Sequence, residues 1–128
     1  MKTTFFLAAM LCIFMATVPC DVIAGSGDVT DDTFHDDVIR CDMPVVVEFW
    51  AARCPACRMM SGVVDELASE YKGLVKVLRM NTDENHEMTG LYEVERIPTF
   101  VYFRDGYEES RAVGSMTKDE LIDRLGLP

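Results

Sequence analysis

Six consecutive residues, Val45–Trp50 (VVVEFW), carry apolar side chains on both sides of an extended chain, interrupted by a single charge at Glu48. Successive side chains of a strand point to opposite faces. A strand with this sequence therefore needs cover on both faces, and its three valines favour the extended form. Such strands sit at the centre of a sheet with helices packed above and below, which points to an α/β fold. The chain has 128 residues, 49% of them hydrophobic, enough for the core of one compact domain.

The rest of the chain alternates as that fold requires. Thr30 caps a helix over 31–40, with Phe34 and Val38 on one face. Beyond the apolar run, Met60, Val63, Val64, Leu67, Ala68 and Tyr71 recur at the spacing of a long helix. The segment LVKVLRM (74–80) reads as another strand, and a short helix follows Asp83. TFVYF (99–103), the turn RDG and a strand to Val113 read as a hairpin. Thr117 and Glu120 form the capping box of a last helix over 118–125. The sequence holds no internal repeat and no low-complexity segment.

Residues 1–24 stand apart from this pattern. Lys2 gives a short positive start, residues 5–18 form an uncharged apolar run, and Pro19 breaks it. VIA ahead of Gly25 offers the small residues of a signal-peptidase site, so a signal peptide over 1–24 and a domain over 25–128 are expected. A retained membrane anchor is the alternative, but an apolar run of 14 residues is short against a span of about 20. A lipid anchor at Cys20 would normally follow a small residue, whereas Pro19 stands there. The chain ends in DRLGLP, with no retention tail for the endoplasmic reticulum, and a bacterial periplasm is the expected location. Cleavage after Ala24 would remove Cys12 and Cys20 and leave Cys41, Cys54 and Cys57, one pair and one spare. A net charge of −10 without a basic stripe excludes nucleic acid and anionic membrane surfaces as partners.

The chemistry-bearing stretch is RCPACR, residues 53–58, where the apolar strand gives way to a helix. Pro55 suits a first helical position, because its missing N–H is not needed there. The Cys54 sulfur then faces free N–H groups and the positive end of the helix dipole, which favour a thiolate. Arg53 and Arg58 add positive charge. Cys57, one turn on, is placed to resolve a mixed disulfide formed at Cys54. A C-x-x-C pair can also be a structural staple or half of a zinc site, for which His35 and Cys41 are the remaining candidate ligands. Cys41 reads as a small buried hydrophobe, or else as a third redox thiol or a point of intermolecular linkage. His35 and His86 read as surface residues, and Met59–Met60 as packing. In RIPTF (96–100), Pro98 enters a strand. It reads as a trans proline at a strand start, or as a cis proline that exposes the Ile97 backbone to a substrate strand.

Taken together these segments resemble the thioredoxin family over essentially the whole chain after residue 24. The resemblance rests on TDDTF, VVVEFWA, C-x-x-C with Arg58, DELASEY, NTDEN, RIPTF, Val113–Gly114 and the final helix. It implies the thioredoxin fold, a central mixed sheet of five strands flanked on both faces by four helices. It also implies Cys54 as nucleophile, Cys57 as resolving thiol and a cis peptide at Pro98. Trp50 would lie beneath the active site, with Ile97, Pro98 and Gly114 along a substrate groove. Glu48 takes the place of the family's buried acid. There its pKa should rise, and it could move a proton to or from Cys57. Arg79 stands where the family has a lysine and could pair with Glu48, working against that rise.

The departures from the family pattern bear on electron flow. Arg53 replaces a tryptophan, Pro55–Ala56 replaces Gly-Pro, Gly62 stands at a kink proline, and the first edge strand should be short or absent. Ala56 retains an N–H that a proline would lack, so the amides of Ala56 and Cys57 could both point at the Cys54 sulfur. The expected function is an exported reductase of protein disulfides. A thiol oxidase or disulfide isomerase of the same fold, and a binding module with a permanently closed C-x-x-C, are the alternatives. The expected partners are client proteins with disulfides and a membrane or periplasmic thiol protein as electron donor or acceptor. No cofactor and no metal are expected, and the protein should be a monomer.

Overall fold

The structure is a computed structural model that describes Cys20 and residues 26–128. The expected signal over 1–24 and the expected new terminus at Gly25 lie outside the described residues, Cys20 excepted. The strands are β1 (Gly27–Asp28), β2 (Val45–Trp50), β3 (Lys76–Asn81), β4 (Thr99–Arg104) and β5 (Tyr107–Val113). The helices are α1 (Pro55–Glu70), α2 (His86–Leu91) and α3 (Lys118–Leu125). The five strands form one sheet in the order β1-β3-β2-β4-β5. β1, β3 and β2 run parallel, β4 lies antiparallel to β2, and β5 antiparallel to β4. This is the mixed sheet of the thioredoxin fold, with β2 at its centre and a first edge strand only two residues long.

The pleat of the central strands sorts the core into two layers. Val46, Phe100, Tyr102 and Val77 face α1 and α3, packing on Met60, Val64, Leu67 and Leu121. Val45, Val47, Phe49, Leu78, Met80, Val101 and Phe103 face the other way, onto Val29, Phe34, Val38 and Cys41. Every residue of β2 from Val45 to Phe49 is fully buried, as two-sided cover demands.

Local chemistry sets the element ends. The hairpin between β4 and β5 turns on Asp105 and Gly106, both with positive φ (52° and 80°), as a two-residue turn of matching twist requires. Gly106 is needed twice over, because a Cβ there would meet the Ile39 carbonyl oxygen at 2.8 Å. α3 begins with the expected capping box, in which Thr117 Oγ1 accepts from the Glu120 amide and Glu120 accepts from the Thr117 amide. The segment expected as a helix over 31–40 is instead a turn followed by a wide, π-type turn, His35–Ile39. The Arg40 amide reaches back five residues to the His35 carbonyl. Phe34 and Val38 nevertheless point into the core as expected.

Leu67 of α1 is fully buried against the sheet. Leu67→Ala should lower unfolding free energy by about 2–5 kcal/mol through lost burial and a residual cavity. Urea unfolding followed by tryptophan fluorescence checks this.

Candidate active site

β2 ends at Trp50, and the chain turns through Ala51–Arg53 to deliver Cys54 as the N-cap of α1, with extended backbone (φ −91°, ψ 108°). Pro55 occupies the first helical turn, so no donor is lost where none is needed. The Cys57 amide donates to Cys54 Sγ at 3.1 Å. A sulfur thus occupies the N-cap acceptor position usually held by an oxygen. Cys54 and Cys57 are joined as a disulfide, with Cα atoms 5.2 Å apart. Their environments differ. Cys54 is half-buried and reachable, whereas Cys57 lies under the first turn of α1 with 1% of its surface exposed. Arg53 and Arg58 are exposed beside the pair and, among the described residues, neither forms an ion pair. Of the two amides expected to face Cys54, only that of Cys57 makes the hydrogen bond in this disulfide form. Ala56 contributes no second one, because in the first turn of a helix one N-cap acceptor meets one well-aligned donor.

A second strand end converges on the same sulfur. The Ile97–Pro98 peptide is cis, and the Ile97 carbonyl oxygen lies 3.7 Å from Cys54 Sγ. Gly114, just past β5, donates its amide to the Pro98 carbonyl at 2.8 Å. Its φ of 96° is a conformation that favours glycine. Residues 54, 97–98 and 114, distant in sequence, therefore meet at the end of the sheet where β2 stops. Trp50 is half-buried behind them, with the Arg79 guanidinium 4.6 Å over its ring. Met59, one turn into α1, is 74% exposed.

Glu48 lies in the middle of β2 and is fully buried. The pleat that sends Val46 toward α1 sends Glu48 the same way, toward the helix on which Cys57 is buried. On the neighbouring strands it is paired in register with Arg79 and Phe100. Arg79 Nε donates to Glu48 Oε2 at 2.8 Å. Glu48 Oε1 has no protein hydrogen-bond partner among the described residues, so it is the oxygen open to a proton. Burial pushes the Glu48 pKa above its ordinary 4.5, Arg79 opposes that rise, and Asp65 adds to it. Desolvation wins because Arg79 sits at the edge of the site, its side chain 20% exposed and its charge partly screened.

The structure does not assemble the four candidate zinc ligands. Cys54 and Cys57 bond to each other at one end of the sheet, while Cys41 bonds to Cys20 and His35 is exposed. His86 is exposed as expected, Met60 is core, and Met59 departs from its expected packing role by facing solvent. The pairing of Cys41 corrects its reading as a spare cysteine, which followed from counting only the residues after Ala24. The stacking of Arg79 on Trp50 escaped sequence reasoning as well. A basic residue diagonal to an aromatic one on a neighbouring strand, Arg79 being paired with Glu48 two residues before Trp50, was the available signal.

The fold and the disposition of the cysteine pair define a class, the thiol–disulfide oxidoreductases built on a helix-capping C-x-x-C. Comparison with known proteins agrees. The Thioredoxin family model matches residues 26–126. Thioredoxin 1 of Nostoc sp. is 41% identical over 103 residues, covering 80% of this chain and 96% of that protein. Thioredoxin of Pseudomonas aeruginosa is 43% identical over 94 residues, covering 73% of this chain and 87% of that protein. Thioredoxin of Rickettsia felis is 40% identical over 98 residues, covering 77% and 93%. The chain belongs to the thioredoxin family, and the protein is a thiol–disulfide oxidoreductase.

The raised pKa of Glu48 has a measurable consequence. Between 4.5 and the raised value, the folded state keeps a proton that the unfolded state has lost. Stability therefore falls as pH rises through that window, then stays lower by a constant amount. Glu48→Gln lacks this drop. Urea midpoints against pH should diverge in favour of the Gln variant across the window and run parallel outside it. Profiles that stay parallel throughout would mean that burial leaves Glu48 unperturbed.

Proposed function

We propose that this protein is an exported thioredoxin that reduces protein disulfides, with Cys54 as nucleophile, Cys57 as resolving thiol and Glu48 as proton carrier. The observation that carries this reading is the Cys57 amide aimed at Cys54 Sγ, at the one reachable sulfur of the pair. In the reduced protein, the Cys54 thiolate attacks one sulfur of a client disulfide and expels the other as a thiolate. Glu48, when ionised, takes the proton of Cys57. The Cys57 thiolate then attacks Cys54 Sγ, breaks the mixed disulfide and releases the second client sulfur. Two electrons have passed to the client, and Cys54–Cys57 is left oxidised. The Ile97 carbonyl beside Cys54 offers a client strand a backbone acceptor next to the reacting sulfur.

Export rests on Lys2, the apolar run over 5–18 and Pro19. In a periplasm the two electrons would come from a membrane or periplasmic thiol protein. Arg53 and the Cys57 amide both favour the Cys54 thiolate, which belongs to the reduced form, so they raise the reduction potential. An oxidase or isomerase is therefore the second reading, and the potential decides how far the protein lies toward it.

Cys57→Ser should accumulate mixed disulfides with clients, visible as adducts on non-reducing gels, and Cys54→Ser should accumulate none. The opposite behaviour would exchange the two roles. Equilibration of the wild type with glutathione buffers should give a potential between the reference values of about −270 mV for thioredoxin and about −120 mV for the strong periplasmic oxidase. A value at or below that of thioredoxin would show that Arg53 and the helix amide do not tune this sulfur.

A further inference from the structure

A second sulfur pair lies at the other end of the sheet. Cys41 stands four residues ahead of β2 and is bonded to Cys20, with Cα atoms 5.2 Å apart. We propose that Cys20–Cys41 is a structural disulfide of the mature protein that stays closed while Cys54–Cys57 cycles, so that processing leaves Cys20 on the chain. The proposal rests on the export reading, because only an oxidising compartment maintains such a bond. Its formation passes two electrons to the disulfide of an oxidising thiol protein, whose sulfurs also take up the two protons.

The surroundings of the two pairs are opposite in kind. Exchange at a disulfide is fastest when an accessible sulfur is attacked and the departing sulfur is a stabilised thiolate. At Cys20–Cys41 these requirements fall on different atoms. Cys20 is half-buried and reachable, but attack there expels Cys41. Cys41 is 4% exposed and belongs to the apolar cluster that includes Val38, Val45 and Phe103. It directly follows the C-terminal end of the His35–Ile39 turn, where the carbonyl ends disfavour negative charge. Attack on Cys41 would expel Cys20, and Lys76 Nζ lies 3.5 Å from Cys20 Sγ, ready to stabilise that thiolate. But the buried Cys41 sulfur cannot be reached. The pair therefore resists exchange from both sides.

Lys76 also argues against the other use of these atoms. Cys20 Sγ, Cys41 Sγ and an Asp42 carboxylate oxygen lie within 4.8 Å of one another, close enough to share a metal ion. The Lys76 side chain is 4% exposed, and its ammonium also contacts Asp37, at 3.3 Å to the carbonyl and 3.7 Å to Oδ1. A cation placed between the sulfurs would face that ammonium directly. Cys20 instead covers it, and cleavage after Ala24 would strip this cover from a buried charge.

The test begins with the purified full-length chain, oxidised with glutathione disulfide, exposed to graded dithiothreitol, alkylated and mapped without reduction. A linked Cys20–Cys41 peptide should persist at dithiothreitol concentrations at least about tenfold above those that open Cys54–Cys57. Absence of the link, or opening of both pairs together, overturns the proposal. The same map is then made on protein recovered from the exported fraction. There a linked peptide supports retention of Cys20. A chain beginning at Gly25, or one carrying lipid on Cys20, overturns it. A chain found only inside the cell overturns export, and with it the claim about the mature form, while the map of the purified chain still decides the pairing. Cys41→Ala should lower the melting temperature of the oxidised full-length protein and leave disulfide turnover unchanged where both forms are folded. An unchanged melting temperature would show that the bond holds nothing in place.

Discussion

Burial of β2 on both faces is the constraint on which the remaining structure depends. Its valines and Phe49 are fully covered, and that cover is drawn from two layers made by different parts of the chain. A strand held from both sides cannot slip by one residue without exchanging its faces. The end of β2 is therefore a rigid platform, and the cysteine pair sits on the turn that leaves it. The same register places Glu48 between Arg79 and Phe100. One buried carboxylate is thereby held on the face turned toward α1, the helix that carries Cys57.

The reactive end of the sheet works by asymmetry. Cys54 meets a helix N-terminus, the Cys57 amide and two exposed arginines nearby, all of which favour negative charge on its sulfur. Cys57 is buried, and Glu48, whose proton affinity burial has raised, lies on the face of β2 turned toward the same helix. A pair of identical side chains is thus divided into a reachable sulfur at a helix start and a buried one. Arg79 both binds Glu48 and stacks on Trp50. It ties the buried acid to the aromatic residue behind the active site.

The far end of the sheet holds the same covalent bond in an environment with the opposite effect. At Cys41 the sulfur is enclosed and follows a helical turn rather than preceding one. The Lys76 ammonium contacts the sulfur that an incoming thiol would attack, not the one that must leave. Two disulfides on one small sheet can therefore differ widely in lability without any difference in the bond itself. Position relative to helix ends and to the core decides which cycles.

Local chemistry in the sequence was enough to determine the central strand, the helix starting at Pro55, the hairpin turn at Asp105–Gly106 and the capping box at Thr117. Each of these depends on neighbours within a few residues. The placement of Cys54 and Cys57 at a helix start was legible for the same reason, since a strand end, a proline and a helix start are all local. Only the tertiary structure decided what lies across from them. The approach of the Ile97 carbonyl to Cys54, the contact of Gly114 with Pro98 and the stacking of Arg79 on Trp50 join residues far apart in the chain. The wide turn at His35–Ile39 belongs here too, because packing of Phe34 and Val38 outweighed the local preference for a regular helix. The partner of Cys41 was the least legible of all. Cys20 stands in sequence beside the apolar run 5–18 and is bonded to a residue of the domain. Composition is a property of sequence neighbours, whereas a disulfide forms between whichever sulfurs the fold brings together.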